Sequence, residues 1–545
     1  MATAERPGEW WREAVIYQIY PRSFQDSTGN GIGDLAGIIA RLDYLNDGTE
    51  RSLGVDAIWL SPTFPSPMKD FGYDVADYLD VHPDFGTLET MDRLIEACHG
   101  RGIRVLLDWV PNHTSDQHPW FLESRSSRNN SKRDWYVWRD ARPDGSLPNN
   151  WPAAFGGPAW TLDERTGQYY LHSFLPEQPD LNWRNPEVVA AMHDTLRFWF
   201  RRGIDGFRID VMGMIVKHPD LADNPPNPDW QPGSRRPRLL PKNNRNYPDV
   251  FDAVRGIRSV FDEFPEKMAV GEVFGTAEEV ARFYGDRRLD GLHLAFNFQF
   301  ISEEANGHTP WDAEVLRRIV TNAELALPSG AQPCFALNNH DRSRFISRHN
   351  QDGNGPERAR AAALLLLGVR GTPFLYYGEE IGMVDGAIPE DQLQDPARHR
   401  STGRDPERTP MQWDTSPGRG FSNARPWLPY GPADISVAAQ DNDPHSLLSF
   451  YRRAIWIRRR TPALREGGHR ELPAPEGVVA FVRETPGSPG VVVALNTALE
   501  SRVLELPPGY GRVLVASHVE HEGATVEERI NLPPLGAAWV ERLHP

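Results

Sequence analysis

The sequence predicts an α/β fold, namely a (β/α)8 TIM barrel with an inserted lobe after strand 3 and a C-terminal antiparallel β-sandwich domain. Three observations lead to this prediction. Eight short apolar runs recur along the chain, with amphipathic helical stretches between them. A long stretch without this repeat follows the third run, and runs of alternating apolar and polar residues occupy the end of the chain. Eight βα units are the number that closes a barrel of parallel strands.

Each apolar run has the length and the continuous hydrophobicity of a strand that is buried on both faces of a sheet. The predicted strands are residues 14–20, 55–60, 103–110, 205–211, 267–273, 292–298, 333–339 and 372–378. Helical stretches such as 91–102 and 188–203 end in glycine, which stops a helix, and a strand follows within a few residues. This order indicates parallel strands with helices on the outside.

Two departures from the repeat predict additional domains. The first is a stretch rich in Trp, Asn, Pro and Gly, and the second follows the basic helix 452–460 and alternates in the manner of antiparallel strands. Residues 218–248 and 384–435 lack periodicity and fit long loops at the barrel mouth. The predicted domains are 1–111 and 182–462 for the barrel, 112–181 for the inserted lobe and 463–545 for the terminal β domain.

Composition and charge exclude several classes of protein. The 545 residues contain 59 Lys and Arg against 75 Asp and Glu, a net charge of −16, which is the wrong sign for binding nucleic acid. The two cysteines, Cys98 and Cys334, do not form a disulfide framework or a thiolate metal cluster. The first residues lack a signal-peptide pattern, and the longest apolar stretch, 361–367, is far short of the ~20 residues that cross a bilayer. We therefore expect a cytoplasmic protein without a membrane partner.

Three carboxylates stand at the ends of predicted barrel strands, where the chemistry of such barrels is located. They are Asp210, Glu272 and Asp341, with Arg208 close to the first and His340 beside the third. Any one of them could simply cap the next helix, but three together favour a reactive site. Paired carboxylates are what cleavage of a glycosidic bond requires, one ionised and one protonated. These residues alone do not assign the individual roles.

Six motifs then narrow the prediction. They are DWVPNH (108–113), GFRIDV (206–211), GEVF (271–274), NNHD (338–341), QPDLNW (178–183) and RTPMQW (408–413). The first four resemble the ordered signature regions of the α-amylase family of glycoside hydrolases. The last two resemble the α-glucosidase and oligo-1,6-glucosidase branch of that family. The resemblance covers almost the whole chain.

The resemblance implies a role for each strand-end carboxylate. Asp210 matches the nucleophile that forms a β-glucosyl-enzyme ester, and Glu272 matches the general acid and base. Asp341 matches the carboxylate that stabilises the transition state by gripping sugar hydroxyls, and Asp108 matches a residue that supports Arg208. Retention of the α anomer follows from these roles.

The resemblance also implies a binding pocket for one terminal glucose. The matching residues are Asp70, Tyr73, His113, Arg208, His340 and Arg404, with Phe155 and Phe174 as aromatic walls from the inserted lobe. Because Asp70 would bind the non-reducing end, the enzyme should release single glucose units. Two alternatives stay open: the phenylalanines could be ordinary core residues, and Arg408 could make the sugar contact in place of Arg404.

The stretch DSTGNGIGD (26–34) places oxygen ligands at alternate positions, as a calcium loop does, and resembles the metal site of the family. We expect a structural Ca²⁺, or Mg²⁺, on the following groups: Asp26, Thr28, Asn30, the Ile32 carbonyl and Asp34. Thr28 and Asn30 stand where Asn and Asp are common, and one charge fewer should weaken binding. A metal-free turn is the alternative. No cofactor is expected for catalysis.

The sequence therefore predicts a retaining exo-α-glucosidase for short α-glucosides, with possible transglucosylation. We expect α-1,4 linkages to be favoured and α-1,6 linkages to be a further option, because Val211 is the residue type associated with α-1,6 cleavage while the residues after it differ from the isomaltase pattern. The main alternative is a trehalose synthase or a sucrose-using glucosyltransferase of the same family. A non-catalytic relative would lack the carboxylates. The oligomeric state is not predicted.

Overall fold

The computed structural model describes residues 8–233, 236–302, 307–399 and 403–543. Its first eleven strands are β1 Ile16–Ile19, β2 Ala57–Leu60, β3 Arg104–Trp109, β4 Trp138–Arg139, β5 Trp160–Asp163, β6 Gln168–Leu171, β7 Gly206–Ile209, β8 Met268–Gly271, β9 Leu294–Ala295, β10 Cys334–Ala336 and β11 Thr372–Tyr376. Eight of them form one parallel sheet in the order β10-β11-β1-β2-β3-β7-β8-β9. A parallel bridge between Asn297 and Phe335 joins its two ends. The predicted eight-stranded barrel is confirmed.

The barrel strands form because their residues can be buried on both faces. All residues of β1, β2, β7 and β8 are buried, and the register pairs Ile16 with Ala57 on one side and with Phe374 on the other. Burial of apolar surface, which stabilises the fold by about 25 cal/mol per Å², is the main contribution to the stability of such a sheet. The outward side chains pack against the helices that follow the strands.

The helices cover the outside of the barrel and the loops at its rim. Their bounds are α1 Pro21–Phe24, α2 Leu35–Ala40, α3 Leu42–Leu45, α4 Leu88–His99, α5 Pro119–Ser124, α6 Pro186–Arg201, α7 Val250–Phe261, α8 Ala277–Ala281, α9 Ala313–Ala326, α10 Phe345–Arg348, α11 Gly355–Gly368, α12 Val437–Gln440, α13 Leu447–Arg460 and α14 Pro462–Glu466. The N-cap of α4 is Thr87, whose side chain accepts from the Thr90 amide, and its buried stripe includes Met91, Leu94 and Cys98. Such apolar stripes pack against the barrel strands and cover the outer face of the sheet.

Strands β4, β5 and β6 form a small antiparallel sheet between β3 and β7 along the chain, in the order β4-β6-β5. Its core contains Trp151 and Trp160, and the indole of Trp160 donates to Asn149 Oδ1 at 2.7 Å. The sheet lies within the segment predicted as an inserted lobe. The domain boundaries themselves stay predictions.

The end of the chain is antiparallel, as predicted. Its strands are β12 Gly468–Glu471, β13 Val478–Glu484, β14 Val491–Asn496, β15 Arg502–Glu505, β16 Tyr510–Ala516, β17 Arg529–Leu532 and β18 Ala537–Arg542. Five form a sheet in the order β12-β13-β14-β18-β16, and β15 pairs with β17. The buried Trp539 donates to the Leu364 carbonyl of α11, and the buried Arg483 donates to the Gly368 carbonyl. These contacts attach the sheet to the barrel.

Two further observations concern the described residues. Cys98 and Cys334 are buried free thiols. Within these residues, none of the helices combines the length and the apolarity that crossing a membrane requires.

Candidate active site

The three predicted carboxylates lie at one rim of the barrel. Asp210 directly follows β7 and Glu272 directly follows β8, and both are buried. Asp341 lies in the loop after β10, with 26% of its side chain exposed. Because the strands are parallel, their carboxyl ends share one face, and loops from different strands can place side chains around one pocket. The sequence-predicted trio therefore lies on one face.

One guanidinium holds three carboxyl groups together. Arg208 lies inside the barrel and is nearly fully buried. Its Nη1 lies 2.8 Å from Asp108 Oδ1 and 2.7 Å from Asp210 Oδ1, and its Nη2 lies 2.8 Å from Glu272 Oε2. With all three carboxyls ionised, the set would carry two uncompensated negative charges in a buried space, which is costly. A state in which one of the three carboxyls is protonated is therefore favoured.

The pKa values follow from this crowding. Burial raises the pKa of Asp210 well above its usual value, Arg208 lowers it, and the charges of Glu272 and Asp108 raise it further. Burial likewise raises the pKa of Asp108 to about 6 against the lowering effect of Arg208. Asp108 and Asp210 share Arg208 Nη1, so the protonation of one affects that of the other. A site of this kind holds a carboxylate and a proton source side by side.

Asp341 has the opposite environment. Its Oδ1 accepts from Arg404 Nη1 at 3.1 Å and from Arg408 Nη2 at 3.0 Å, and His340 Nε2 lies 3.3 Å from its Oδ2. Burial would raise the pKa of Asp341, but His340, Arg404 and Arg408 together hold it far below its usual range. Asp341 is therefore ionised near pH 7.

The two candidate arginines differ in how they face the pocket. Both contact Asp341, but the side chain of Arg408 is fully buried and its Nε donates to the His340 carbonyl at 2.7 Å. Arg404 keeps 17% of its side chain exposed. Arg404 is therefore the more accessible of the two, while Arg408 is buried against the loop that carries Asp341.

Arg404 also links the two sides of the pocket. Its Nη2 lies 2.6 Å from Asp70 Oδ1, and its Nε lies 2.7 Å from Asp395 Oδ2. Asp70 is buried, and its Oδ2 accepts from Gln178 Nε2 at 3.1 Å. The same Gln178 atom lies 3.1 Å from His113 Nε2. The Asp70–Arg404 ion pair joins loops from opposite parts of the chain at this end of the site.

Tyr73 and His340 form a stacked pair beneath the carboxylates. Their rings are parallel with centroids 5.5 Å apart, and Tyr73 Oη lies 2.6 Å from His340 Nε2 and donates to Asp108 Oδ2 at 2.9 Å. Burial lowers the pKa of His340 to about 3 and that of His113 to about 4. Both histidines are therefore neutral near pH 7 and serve as hydrogen-bonding groups.

The two predicted wall aromatics lie beside the pocket. Phe155 and Phe174 are half-buried, with ring centroids 6.0 Å apart. The Phe174 ring lies 5.1 Å from the His113 ring, and the Arg404 guanidinium carbon lies 5.2 Å from the centre of Phe155. They surround the polar groups of the site and do not belong to a buried core cluster.

Sequence reasoning did not single out Asp395 or Gln178. Asp395 is fully buried, and both of its carboxylate oxygens accept hydrogen bonds from Arg404. Gln178 contacts Asp70 and His113. Gln178 opens one of the quoted motifs, so that motif was an available signal. Asp395 lies in an aperiodic loop whose contacts no local pattern reveals.

The predicted metal loop, residues 26–34, has the donor chemistry of a calcium site. It offers two carboxylates, an amide oxygen, a hydroxyl and a backbone carbonyl, which are hard oxygen ligands. Two of them are neighbours, since Thr28 Oγ1 lies 3.2 Å from Asp26 Oδ1. The loop is also held by its own bonds: Asn30 Oδ1 accepts from the Ile32 amide, and Asp34 caps α2. The donor types are those that Ca²⁺ prefers, although the carboxylate oxygens of Asp26 and Asp34 accept hydrogen bonds from the protein itself. The metal stays a prediction.

Comparison with known proteins decides the family. The model of the alpha-amylase catalytic domain matches residues 18–467. The chain belongs to the alpha-amylase family. It is 43% identical to a probable alpha-glucosidase of Rhizobium meliloti (strain 1021), over 97% of this chain and 96% of the relative. It is 38% identical to an oligo-1,6-glucosidase of Parageobacillus thermoglucosidasius, over 98% of each.

Among solved structures, the chain is similar to the alpha-glucosyl transfer enzyme XgtA. The two share 39% sequence identity with a TM-score of 0.90, over 98% of this chain and 100% of that one. This alpha-amylase family member is thus an enzyme, a glycoside hydrolase of the group that contains alpha-glucosidases and oligo-1,6-glucosidases.

Proposed function

We propose that this alpha-amylase family member is a retaining exo-acting α-glucosidase. It would release α-glucose from the non-reducing end of short α-glucosides through a β-glucosyl-enzyme intermediate. The observation that carries the proposal is the pair of carboxyls, Asp210 and Glu272, held on the two Nη atoms of Arg208. The shared guanidinium holds the two carboxyls near each other, and a retaining enzyme needs its two carboxyls closer together than an inverting one does.

The proposed reaction has two steps. The first step starts from the state of the set in which Asp210 is ionised and the proton lies on Glu272. Asp210 attacks the anomeric carbon while Glu272 gives that proton to the glycosidic oxygen, so that the aglycone leaves as an alcohol. In the second, Glu272 takes a proton from water, the water attacks the same carbon, and Asp210 is released as a carboxylate. Asp341, already an anion beside two arginines, would bind sugar hydroxyls and favour the charged transition state.

Exo action is supported by the far end of the pocket. The Asp70–Arg404 ion pair and the Asp70–Gln178 hydrogen bond place charged donors and acceptors where a terminal glucose would present its hydroxyls. The half-buried rings of Phe155 and Phe174 would pack on the apolar face of the sugar. A longer chain would have to displace this ion pair, so end-wise release of glucose is the expected product pattern.

The proposed linkage preference rests on the relatives and on the residues after Val211, which differ from the isomaltase pattern although Val211 is the residue type associated with α-1,6 cleavage. The relatives are named as an alpha-glucosidase and an oligo-1,6-glucosidase, so both α-1,4 and α-1,6 glucosides are reasonable substrates. We propose that α-1,4 substrates are favoured and that α-1,6 substrates are accepted. A cytoplasmic location stays a prediction.

A second candidate is transfer of glucose to another sugar, as in a trehalose synthase or a sucrose-using glucosyltransferase. The observation that favours it is the similarity to the alpha-glucosyl transfer enzyme XgtA. Transfer uses the same glucosyl-enzyme, with a sugar hydroxyl in place of water, so the carboxylates do not distinguish the two outcomes.

A product time course distinguishes them. The purified protein is given maltose, isomaltose, trehalose, sucrose and maltoheptaose separately, and the products are resolved by chromatography. We expect α-glucose from maltose and isomaltose, and end-wise shortening of the heptaose. Isomerised or lengthened sugars as the main products would move the assignment to transfer, and internal cleavage of the heptaose would contradict exo action.

A further inference from the structure

The residue directly after Asp210 has an unusual backbone. Val211 has φ 36° and ψ 46°, which is the left-handed region. This region is unfavourable for β-branched residues, and such residues occur there only when surrounding contacts hold them. Val211 is buried, so neighbouring residues surround most of its surface.

A network of backbone hydrogen bonds keeps this turn in place. The Met214 amide donates to the Val211 carbonyl at 2.8 Å, and the Asn246 amide donates to the Gly213 carbonyl at 2.7 Å. The Met212 amide donates to the main-chain oxygen of Glu272 at 3.0 Å. The turn after one carboxylate is therefore tied to the strand that carries the other.

The N–H of Val211 faces the other carboxyl of the site. This amide donates to Glu272 Oε2 at 3.0 Å. Arg208 Nη2 lies 2.8 Å from the same oxygen. Two donors thus converge on Oε2. A proton on Oε2 would face both of them, so a protonated Glu272 is forced to hold its proton on Oε1.

We propose that Val211 is a positioning residue that selects Oε1 of Glu272 as the oxygen that transfers the proton. This inference rests on the proposed function. As the bond between the anomeric carbon and the leaving oxygen breaks, the proton moves from Oε1 to that oxygen and Asp210 bonds to the carbon. The negative charge left on Glu272 is then stabilised at Oε2 by the Val211 amide and Arg208.

The test removes the N–H donor of Val211 and leaves its side chain unchanged. Val211 is replaced by its α-hydroxy acid analogue, which converts the N–H donor into an ester oxygen. The value of kcat/KM is measured for maltose, whose leaving group needs a proton, and for α-glucosyl fluoride, whose leaving group does not. We expect a loss of about 10- to 100-fold on maltose, part of the ~10²–10⁴ that a general acid contributes. The loss on the fluoride should be within about threefold, because no proton donor is needed there.

The matched control is the same change at Met212. That ester also removes a hydrogen bond to Glu272, but one that ends on the main-chain oxygen. We expect it to affect the two substrates equally and to leave the pH profile of kcat/KM unchanged. As a second variant, Val211→Gly keeps the amide and tolerates the same backbone, so it should retain the wild-type ratio between the two substrates.

The outcomes separate this inference from the proposed function. If the wild-type protein releases glucose and the Val211 ester slows both substrates to the same extent as the Met212 ester, the positioning role is wrong. A Val211→Gly variant that lost activity selectively on maltose would also contradict it, since the amide is still present. Failure of the wild type to release glucose from either substrate would instead contradict the proposed function.

Discussion

Two aspartates at the same rim of the barrel differ because of their partners. Asp341 accepts from two arginines and stays charged, whereas Asp210 shares Arg208 with two other carboxyls. Identical side chains are therefore suited to different tasks, one as a fixed anion and one inside a set that exchanges a proton. The difference arises from which cations lie within hydrogen-bonding distance.

The most direct test of the site replaces the nucleophile. Asp210→Asn keeps the size of the side chain and removes the charge that would attack the anomeric carbon. We expect kcat for maltose to fall by about 10⁴-fold or more, as for the loss of other enzymatic nucleophiles. The midpoint of thermal unfolding should stay within a few degrees. Asp194→Asn, at a position with 74% of its side chain exposed on α6, is the control and should retain full activity. Near-normal turnover by Asp210→Asn would refute the assignment.

Asp395 provides a test of how Arg404 is positioned. Asp395→Asn removes the carboxylate that pairs with Arg404 Nε and Nη2, while keeping the shape of the side chain. We expect KM for maltose to rise by about tenfold with a smaller change in kcat, because a bidentate ion pair that orients a binding residue is worth about 1.5–3 kcal/mol. The exposed Asp391, in the same loop, is the matched control as Asp391→Asn. An unchanged KM would show that Arg404 does not need this partner.

At the scale of an element, the loop between α1 and α2 combines two stabilising devices. Asp26 Oδ1 accepts from the Thr28 and Gly29 amides, and Asp34 accepts from the Gly37 amide at the start of α2. Burial would raise the pKa of Asp26, but hydrogen bonds from the Ser422 hydroxyl and from the Gly31, Gly29 and Thr28 amides lower it below its usual value. The loop is thus folded by its own bonds and keeps an anion that can bind a cation.

The predicted metal site is tested by changing its charge. Asn30→Asp adds the carboxylate that is common at this position, and we expect it to bind Ca²⁺ about tenfold more tightly than the wild type, since affinity rises with ligand charge. Thermal unfolding is followed during a Ca²⁺ titration after treatment with a chelator. Asn129→Asp, an exposed position elsewhere, adds the same charge without a site. If Ca²⁺ does not shift the midpoint of either the wild type or Asn30→Asp, the loop is a metal-free turn.

At the scale of the whole molecule, a buried glutamate links the barrel to the helix that precedes the terminal sheet. Glu379 follows β11, accepts from Tyr451 Oη of α13 at 3.0 Å, and accepts from the Asn338 side chain in the loop that carries Asp341. Burial raises the pKa of Glu379 to about 7, while the two donors lower it. This group therefore makes the stability of the fold depend on pH.

The sign of this dependence follows from linkage. Because the pKa of Glu379 is higher in the folded protein, its contribution is fully present below the unfolded value and is lost as pH rises through about 7. Glu379→Gln removes this loss of folding stability, which is of order 3 kcal/mol in the free energy of unfolding above pH 7. We expect the midpoint of thermal unfolding of Glu379→Gln, relative to wild type, to rise between pH 5 and pH 8.5. The exposed control Glu390→Gln should show no such change. A constant difference across this range would contradict the role of Glu379.

The fold was largely accessible from local patterns. The barrel strands are buried on both faces, so each reads as a continuous apolar run, and glycines mark the ends of the helices between them. The strand-end positions of Asp210 and Glu272 were predictable for the same reason, since each carboxylate directly follows an apolar strand. Asp395 could not be found in this way, because its partner is set by the path of a long loop.

The sequence by itself determined the eight-stranded barrel, the antiparallel end of the chain and the carboxylates at one rim, because these follow from residue periodicity and strand direction. Three contacts were decided only by the tertiary structure. Arg208 contacts three carboxyls, and Arg404 pairs with Asp70, which lies 334 positions away in the chain. The Val211 amide donates to the Glu272 side chain. The physical reason is that most of these contacts join residues that are distant in the chain, on neighbouring strands or in separate loops. Closure of the barrel brings them within hydrogen-bonding distance, and no local propensity specifies such distances.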